Sequence, residues 1–225
     1  MKIIGYIHTD FPEKFGIPRQ SGLVPELRGY ITFLPKYRNP DAFKGLEGFN
    51  YIWLLWRFDV PEREGYSASV KPPRLGGNTP MGVFATRSPF RPNPIGLSSV
   101  RLERVEFTQD GPVLHVMGAD LRDGTAIYDI KPYLPGVDSH PDATDGFVGT
   151  HAQVLLEVEI DPELIGRLQT AGLSERQLAT LREILAQDPR PAYHAAHADP
   201  GRIYGLSYAG HDIHFTVDGR HLKAF

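Results

Sequence analysis

Short runs that alternate apolar and polar residues, separated by turn signals, constrain the fold of this chain most. Such runs recur from residue 3 to residue 160; in the run at 96–107, Leu97, Val100 and Leu102 stand among Ser, Arg and Glu. Period-two alternation is typical of strands that bury one face. Helical periodicity is scarce before residue 160, which argues against strand–helix–strand units. The pattern therefore predicts a mainly β protein with an antiparallel barrel or sandwich.

The character of the chain changes after residue 160. Ser174 and Gln177 form a capping box in front of an apolar stripe, which predicts a helix that ends before "DPRP" at 188–191. Strand-like runs with tight turns follow this helix. We therefore expect a β domain at 1–160 and a small α+β domain at 161–225.

Composition narrows the class of protein. The chain has 225 residues, a net charge of −3 and 41% hydrophobic residues, enough for a sizeable core. It is not uniformly basic, so contact with RNA would depend on local patches. It has no cysteine, which excludes disulfides, thiolate zinc sites and cysteine nucleophiles. The start of the chain lacks a signal-peptide pattern, and the longest apolar run, "YIWLLW", is too short to span a bilayer. A cytoplasmic protein is expected.

The segment "GVFATRSPFRPNPIGL" at 82–97 interleaves Arg87 and Arg91 with three prolines. Each proline fixes its own φ and restricts the residue before it. The loop is therefore stiff and suited to present Arg87, Arg91 and Asn93 to a ligand with polar edges. A rigid turn between two strands explains the same pattern without a ligand.

Two other polar stretches lie at 14–23, "KFGIPRQSGL", and at 121–138, "LRDGTAIYDIKPYLPGVD". In the second, Asp129, Lys131 and Tyr133 alternate onto one face of an extended chain. They could supply a proton acceptor and an electrostatic clamp, or they could form an ordinary surface ladder. Several stiff polar loops in one β domain favour convergence on one pocket.

Other kinds of site are not favoured by the sequence. Glycine-rich dinucleotide and phosphate-binding motifs are missing. The His pairs at 194–197 and 211–214 lack supporting carboxylates, so no metal site is predicted. Trp53 and Trp56 lie in an apolar strand and are expected in the core.

Several segments, in this order, resemble the TrmO family, also called TsaA-like or YaeB-like proteins: "KFGIPRQSGL", "LEGFNYIWLLWRF", "KPPRLGGN", "GVFATRSPFRPNPIGL" and "DGTAIYDIKPYLP". "AQDPRPAYH" at 186–194 is similar to the C-terminal signature of bacterial members. The resemblance implies a β-barrel methyltransferase that uses S-adenosylmethionine and no metal. It also implies a homodimer that methylates the exocyclic nitrogen of threonylcarbamoyl-adenosine, just 3′ of the tRNA anticodon.

The resemblance also implies site residues. Those implied for the methyl donor are Gln20, Ser21, Gly22, Phe58, Asp59, Arg87, Leu97, Asp123, Gly124, Thr125 and Ala126. Asp59 stands where many relatives have His, which leaves its role open. Catalysis or substrate positioning is expected of Arg91, Asn93, Asp129, Lys131 and Tyr133. Contact with tRNA is expected of Arg190, Tyr193, His194 and Arg202, which place cations and aromatic groups around the "DPRPAY" corner.

Two further expectations concern the whole chain. Because every donor motif lies before residue 130, residues 1–160 are expected to bind the donor without the C-terminal domain. The alternative function is a non-catalytic β-barrel that binds RNA, which would need exposed aromatic platforms on a basic face.

Overall fold

A closed barrel of six antiparallel strands forms the N-terminal part of the molecule, in the hydrogen-bonded order β1-β2-β7-β6-β3-β8. The computed structural model describes residues 1–59, 65–150, 154–191 and 199–225. The strands of the barrel are β1 (Gly5–Thr9), β2 (Arg28–Phe33), β3 (Tyr51–Arg57), β6 (Ile95–Thr108), β7 (Gly111–Met117) and β8 (Thr125–Pro132). The antiparallel barrel expected for this chain is confirmed.

Alternation along the strands fills the barrel interior. The buried side chains of the barrel include Ile7, Ile31, Ile52, Leu54, Leu114, Val116 and Ile127. Each alternates with a residue that faces outward, as the period of a strand requires. The barrel is closed because β1 pairs with β8, so it has no free edge.

Three connecting segments, 10–27, 58–94 and 118–124, leave the barrel at the same end, which we call the loop end. The pairing shows this, because Thr9 lies opposite Gly29, and Arg57 lies opposite Ile95. The segment 58–94 carries a small hairpin, β4 (Ser69–Val70) with β5 (Met81–Gly82). The loop end therefore gathers most of the irregular chain of the N-terminal part.

A second, four-stranded sheet in the order β10-β11-β12-β9 forms the C-terminal part. Its strands are β9 (Glu157–Ile160), β10 (Tyr204–Tyr208), β11 (His211–Asp218) and β12 (His221–Ala224). The sequence pattern assigns 152–160 to the β domain, whereas β9 pairs with β12 in parallel and belongs to the C-terminal sheet. A short apolar run carries no signal for the sheet it joins. The exact boundary between the domains stays a prediction.

Among the described residues, the α-helices are short and lie mainly in the C-terminal part. They are α1 (Pro135–Asp138), α2 (Pro162–Thr170) and α3 (Glu175–Ala186). The capping box in front of α3 is present as predicted, with the Gln177 backbone N–H donating to Ser174 Oγ at 3.3 Å. Across the parts of the chain that the structure describes, the helices are too short or too polar to cross a membrane. The cytoplasmic location stays a prediction.

The segment 10–27 shares a hydrophobic core with the C-terminal sheet. The rings of Phe11 and Tyr208 lie 5.6 Å apart, and those of Phe15 and Phe215 lie 6.5 Å apart. Removing the C-terminal part would expose this face of the segment to water. The packing therefore does not favour the expectation that residues 1–160 bind the donor alone.

Candidate active site

The residues expected to hold the methyl donor come mainly from the three segments of the loop end. The 10–27 segment carries Gln20, Ser21 and Gly22; the 58–94 segment carries Phe58, Asp59 and Arg87; the last segment carries Asp123 and Gly124. Thr125 and Ala126 begin β8 at the same end. Strand ends of an antiparallel barrel meet at a common rim, so these distant parts of the sequence become neighbours.

A cleft of about 240 Å³ lies at this rim. Its lining consists of Arg57, Asp59, Arg122, Gly124, Thr125 and Ala126. Arg122 Nη2 lies 3.0 Å from Asp59 Oδ2, so the Asp59 carboxylate is held by an ion pair. Gly124 has a φ of +75°, which a residue with a side chain rarely adopts. The cleft thus presents both charge signs beside a turn that favours glycine.

Arg87 connects the proline-rich loop to the 10–27 segment. Its Nη1 donates to Gln20 Oε1. The Gly22 backbone N–H donates to the Gly118 carbonyl at 2.9 Å, which joins the same segment to the β7–β8 connection. The structure therefore brings Gln20, Gly22 and Arg87 together, as their shared assignment to the donor requires.

Arg91 turns back onto its own loop. Its Nη1 donates to the carbonyls of Thr86 at 2.9 Å and of Ser88 at 3.1 Å. These bonds stiffen the loop and already give the Arg91 guanidinium hydrogen-bond partners within the protein. The geometry therefore does not favour the expected contact between Arg91 and the substrate. Asn93, between two prolines, is exposed and keeps its predicted role.

A partly buried hydrogen-bonded chain that the sequence did not reveal lies near these loops. Trp56 Nε1 donates to Ser98 Oγ at 3.0 Å, and Ser98 Oγ donates to Asp120 Oδ1 at 2.6 Å. Burial raises the pKa of Asp120, while the hydrogen bond from Ser98 and the charge of Arg87 oppose the rise. The only sequence signal for Asp120 is its place between an apolar strand and the Asp-Gly turn.

The outer face of β6, β3 and β8 continues from the loop end down the side of the barrel. Leu97 and Asp129 flank Leu55 from the two neighbouring strands, and Trp53 lies beside Lys131 in the next outward row. With strands about 4.8 Å apart, Leu97 and Asp129 are separated by about 10 Å. Leu97 is 53% exposed, so this face is open beside the candidate donor site.

Asp129 and Lys131 form an exposed ion pair, with Nζ and Oδ2 3.3 Å apart. This pair fits the surface ladder as well as the electrostatic clamp. Tyr133 is more distant from the loop end, since eight residues from Thr125 in an extended strand span about 26 Å. Tyr133 therefore lies away from the donor residues but beside Trp53 on the outer face, and its role in substrate positioning stays a prediction.

Trp56 is 8% exposed in the barrel core, whereas Trp53 faces outward. The Trp53 ring lies 5.4 Å from that of Tyr133, which in turn lies 6.3 Å from that of Tyr51. The expectation that both tryptophans are core residues is therefore wrong for Trp53. Because successive side chains of a strand point to opposite faces, Trp53 and Trp56, three positions apart on β3, lie on opposite faces.

The residues expected to contact tRNA are placed unequally. Arg190 is 7% exposed, and its Nε and Nη2 donate to the two oxygens of Asp188 at 2.8 and 2.9 Å. A guanidinium buried in such a pair is not free for a phosphate, so the geometry does not favour this assignment. Tyr193 and His194 lie outside the described residues. Arg202 is exposed, 5.5 Å from the ring of Tyr204, and keeps its predicted role.

The His pair at 211–214 lies within the described residues, whereas His194 lies outside them. His211 and His214 lie three residues apart on β11, which directs them to opposite faces of the sheet. The residues with described placement hold no group of three or more side chains suited to bind a metal ion. His197 lies outside them.

Comparison with known proteins identifies the family. A family model described as the tRNA-methyltransferase O N-terminal domain matches residues 6–139, and the TrmO C-terminal domain matches residues 153–224. The chain belongs to the TrmO family. The chain therefore has the predicted enzyme class, an S-adenosylmethionine-dependent tRNA methyltransferase.

Relatives of known name and structure agree with this membership. A protein of Escherichia coli K12 named tRNA (adenine(37)-N6)-methyltransferase is 40% identical, over 99% of this chain and 94% of its own. A Pseudomonas aeruginosa protein, RcsF, whose name describes an S-adenosylmethionine-dependent methyltransferase, is 42% identical over 94% and 90% of the two chains. The crystal structure of a TrmO from P. aeruginosa aligns with a TM-score of 0.78 at 34% identity, over 99% and 93%.

Proposed function

We propose that this TrmO-family enzyme methylates the exocyclic nitrogen of threonylcarbamoyl-adenosine, next to the tRNA anticodon. Family membership supports methyl transfer to tRNA, and the E. coli relative is named for the N6 atom of adenine 37. The observation that carries the proposal is the continuity of the site. Residues from three segments that we assign to the donor lie at the loop end, and Leu97 connects this end to the face with Asp129 and Lys131.

The residues at the loop end fit the methyl donor. The amino-acid portion of S-adenosylmethionine carries an ammonium and a carboxylate, and the cleft offers Asp59 to the first and Arg57 or Arg122 to the second. Arg87 adds a further guanidinium on a proline-stiffened loop. When bound, the donor supplies a methyl group on a sulfonium. Holding the acceptor nitrogen in line with that group can contribute about 7–11 kcal/mol to lowering the barrier.

The exocyclic nitrogen that accepts the methyl group places a second chemical requirement on the site. Its lone pair is delocalised into the ring and the carbamoyl group, so it is a poor nucleophile with an acidic proton. A hydrogen-bond acceptor for that proton, with a cation for the developing negative charge, would favour the modified base over plain adenine. Asp129 is our candidate for the acceptor and Lys131 for the cation. The ion pair between them places both groups within reach of one nucleotide.

Contacts with the rest of the tRNA are proposed on the same outer face. The rings of Trp53, Tyr51 and Tyr133 form an aromatic cluster there, and aromatic side chains stack on unpaired bases. Arg202 remains a candidate cation on the C-terminal part. The anticodon loop as target and the homodimer stay proposals that rest on the family resemblance.

The test is methyl transfer from labelled S-adenosylmethionine to one tRNA prepared with and without the threonylcarbamoyl group. We expect methylation of the modified tRNA alone. Asp129→Asn and Lys131→Ala should each lower turnover by about tenfold or more, with little change in donor affinity, because both act on the acceptor.

Asp110→Asn is the matched control for the acidic variant. Asp110 is an exposed carboxylate in the β6–β7 turn, at the end of the barrel away from the loop end, and should not affect turnover. Comparable methylation of unmodified tRNA would reject the proposed substrate. Normal turnover in both site variants would reject the roles of Asp129 and Lys131.

A further inference from the structure

We propose that Asp120 is a positioning residue of the donor site, where it holds Arg87 and the Gln20–Gly22 segment in place from below. Neither residue type nor motif marked Asp120 in the sequence. The inference rests on the proposed donor site, because its effect is exerted through residues assigned to that site.

The surroundings of Asp120 link it to the 10–27 and 58–94 segments, which carry the proposed donor residues. Its carboxylate accepts the short hydrogen bond from Ser98 Oγ, at 2.6 Å. Burial, the main influence on it, raises its pKa; hydrogen bonds from Ser98 and from the Ser21 backbone, together with the charge of Arg87, act in the opposite direction. Asp120 thus has a fixed anchor in the barrel wall. Gly118, two residues before it, accepts the Gly22 backbone N–H at 2.9 Å, and Arg87 contacts Gln20 in that same segment.

The anchor of Asp120 is itself rigid. Ser98 is 1% exposed and also accepts from Trp56 Nε1, which fixes the direction in which its own hydroxyl donates. The Trp56 ring is covered by the ring of Phe58, with centroids 4.3 Å apart. The Phe58 backbone N–H donates to the Pro94 carbonyl at 2.9 Å, at the end of the proline-rich loop. The chain of contacts thus leads from Asp120 to the 58–94 segment that carries Arg87.

This arrangement accounts for a half-buried acid at position 120. A carboxylate taken out of water is costly unless charge and hydrogen bonds compensate for the loss of hydration. Arg87 is exposed and long, so a fixed negative charge beneath it restricts the directions its guanidinium samples. The hydrogen bond from the Gly22 backbone N–H to the Gly118 carbonyl fixes the "PRQSG" turn relative to the same charge. Without Asp120, both groups would have to be ordered by the donor itself.

A double-mutant cycle tests this role. Calorimetry with S-adenosylmethionine would be carried out on wild type, Asp120→Asn, Arg87→Ala and the double variant. Asp120→Asn keeps the shape of the side chain and removes its charge. We expect it to weaken donor binding about tenfold or more when Arg87 is present. In the Arg87→Ala background the same substitution should change affinity less than about threefold, because the residue it acts through is gone.

Ser98→Ala provides a second variant that keeps the charge of Asp120 and removes its anchor. We expect an intermediate loss of affinity, with unfolding temperatures measured in parallel for every variant. Equal effects of Asp120→Asn in both Arg87 backgrounds would overturn the proposal, since they would indicate direct donor contact or a general structural role. Unchanged affinity in Asp120→Asn would overturn it as well. Failure of the wild type to bind the donor would instead reject the proposed function.

Discussion

At the scale of single residues, Asp138 determines how Trp53 is presented on the outer face. Trp53 Nε1 donates to Asp138 Oδ2 at 3.1 Å, and the Leu134 backbone N–H donates to the same oxygen at 2.8 Å. These two hydrogen bonds, with the backbone one dominant, hold the pKa of Asp138 below its ordinary value of 3.8. The carboxylate form is therefore the one that the folded protein stabilises.

A pH-dependent difference in stability follows from this lowered pKa. A group whose pKa is lower in the folded state contributes stability above its unfolded pKa, and this contribution is lost as pH falls through the folded value. Asp138→Ala should therefore be less stable than wild type at neutral pH, and the difference should shrink below pH 3.8. Denaturant unfolding of both proteins across this range measures it. A difference that stays constant with pH would contradict the assignment.

Single residues also mark where sequence patterns stop being informative. Arg190 has the appearance of an exposed cation in "DPRP", yet Asp188, at a φ of +52°, turns the backbone so that its carboxylate meets the guanidinium. A backbone turn of this kind leaves no periodic signal. Asp120 was missed for a related reason, because the partner of this half-buried acid, Ser98, is distant in the sequence. Glycines and prolines of the loops, in contrast, act on the backbone next to them, so their patterns are informative about local structure.

At the scale of elements, the pairing of β3 with β6 explains why the "PIG" segment contains glycine. Gly96 lies directly opposite Trp56, and a Cβ on Gly96 would lie 2.2 Å from the indole ring. The ring can occupy that space only because residue 96 has no side chain. This contact fixes Trp56, which begins the hydrogen-bonded chain to Asp120.

Gly96→Ala is therefore expected to destabilise the fold. Forcing a methyl group into a packed site costs about 1–3 kcal/mol, which thermal or denaturant unfolding would reveal. Gly48→Ala is the control, because Gly48 is exposed and a Cβ there meets nothing within 4 Å. Equal stability of the two variants would show that Trp56 can move aside at little cost.

The alternation of apolar and polar residues predicted where the strands lie. It predicted less well which face of a strand each side chain occupies and which strands pair with each other. The alternating runs of the barrel were found because period two depends on local sequence alone. The orientation of Trp53 was not found, since the apolar run "YIWLLW" hides its alternation and both faces of β3 are apolar. The partner of β9 was not found either, because its parallel pairing with β12 joins residues about 60 positions apart.

At the scale of the whole molecule, the C-terminal part supports the loop end. The Ala209 backbone N–H donates to the Asp10 carbonyl at 2.8 Å, and Gln187 Nε2 donates to the Leu23 carbonyl at 3.3 Å. These bonds, with the shared core, brace both ends of the segment that carries Gln20. Sequence order suggested a separable appendage, whereas the packing shows that the C-terminal part supports the 10–27 segment.

The donor site at the loop end is tested most directly by calorimetric titration of S-adenosylmethionine into wild type, Arg87→Ala and Arg167→Ala. Arg167 is exposed on α2 and serves as a control for the loss of one surface arginine. We expect Arg87→Ala to bind the donor about 1.5–3 kcal/mol more weakly, as for a lost hydrogen bond to a charged group, while Arg167→Ala binds like wild type. Equal donor affinity in all three proteins would contradict a donor site built around Arg87.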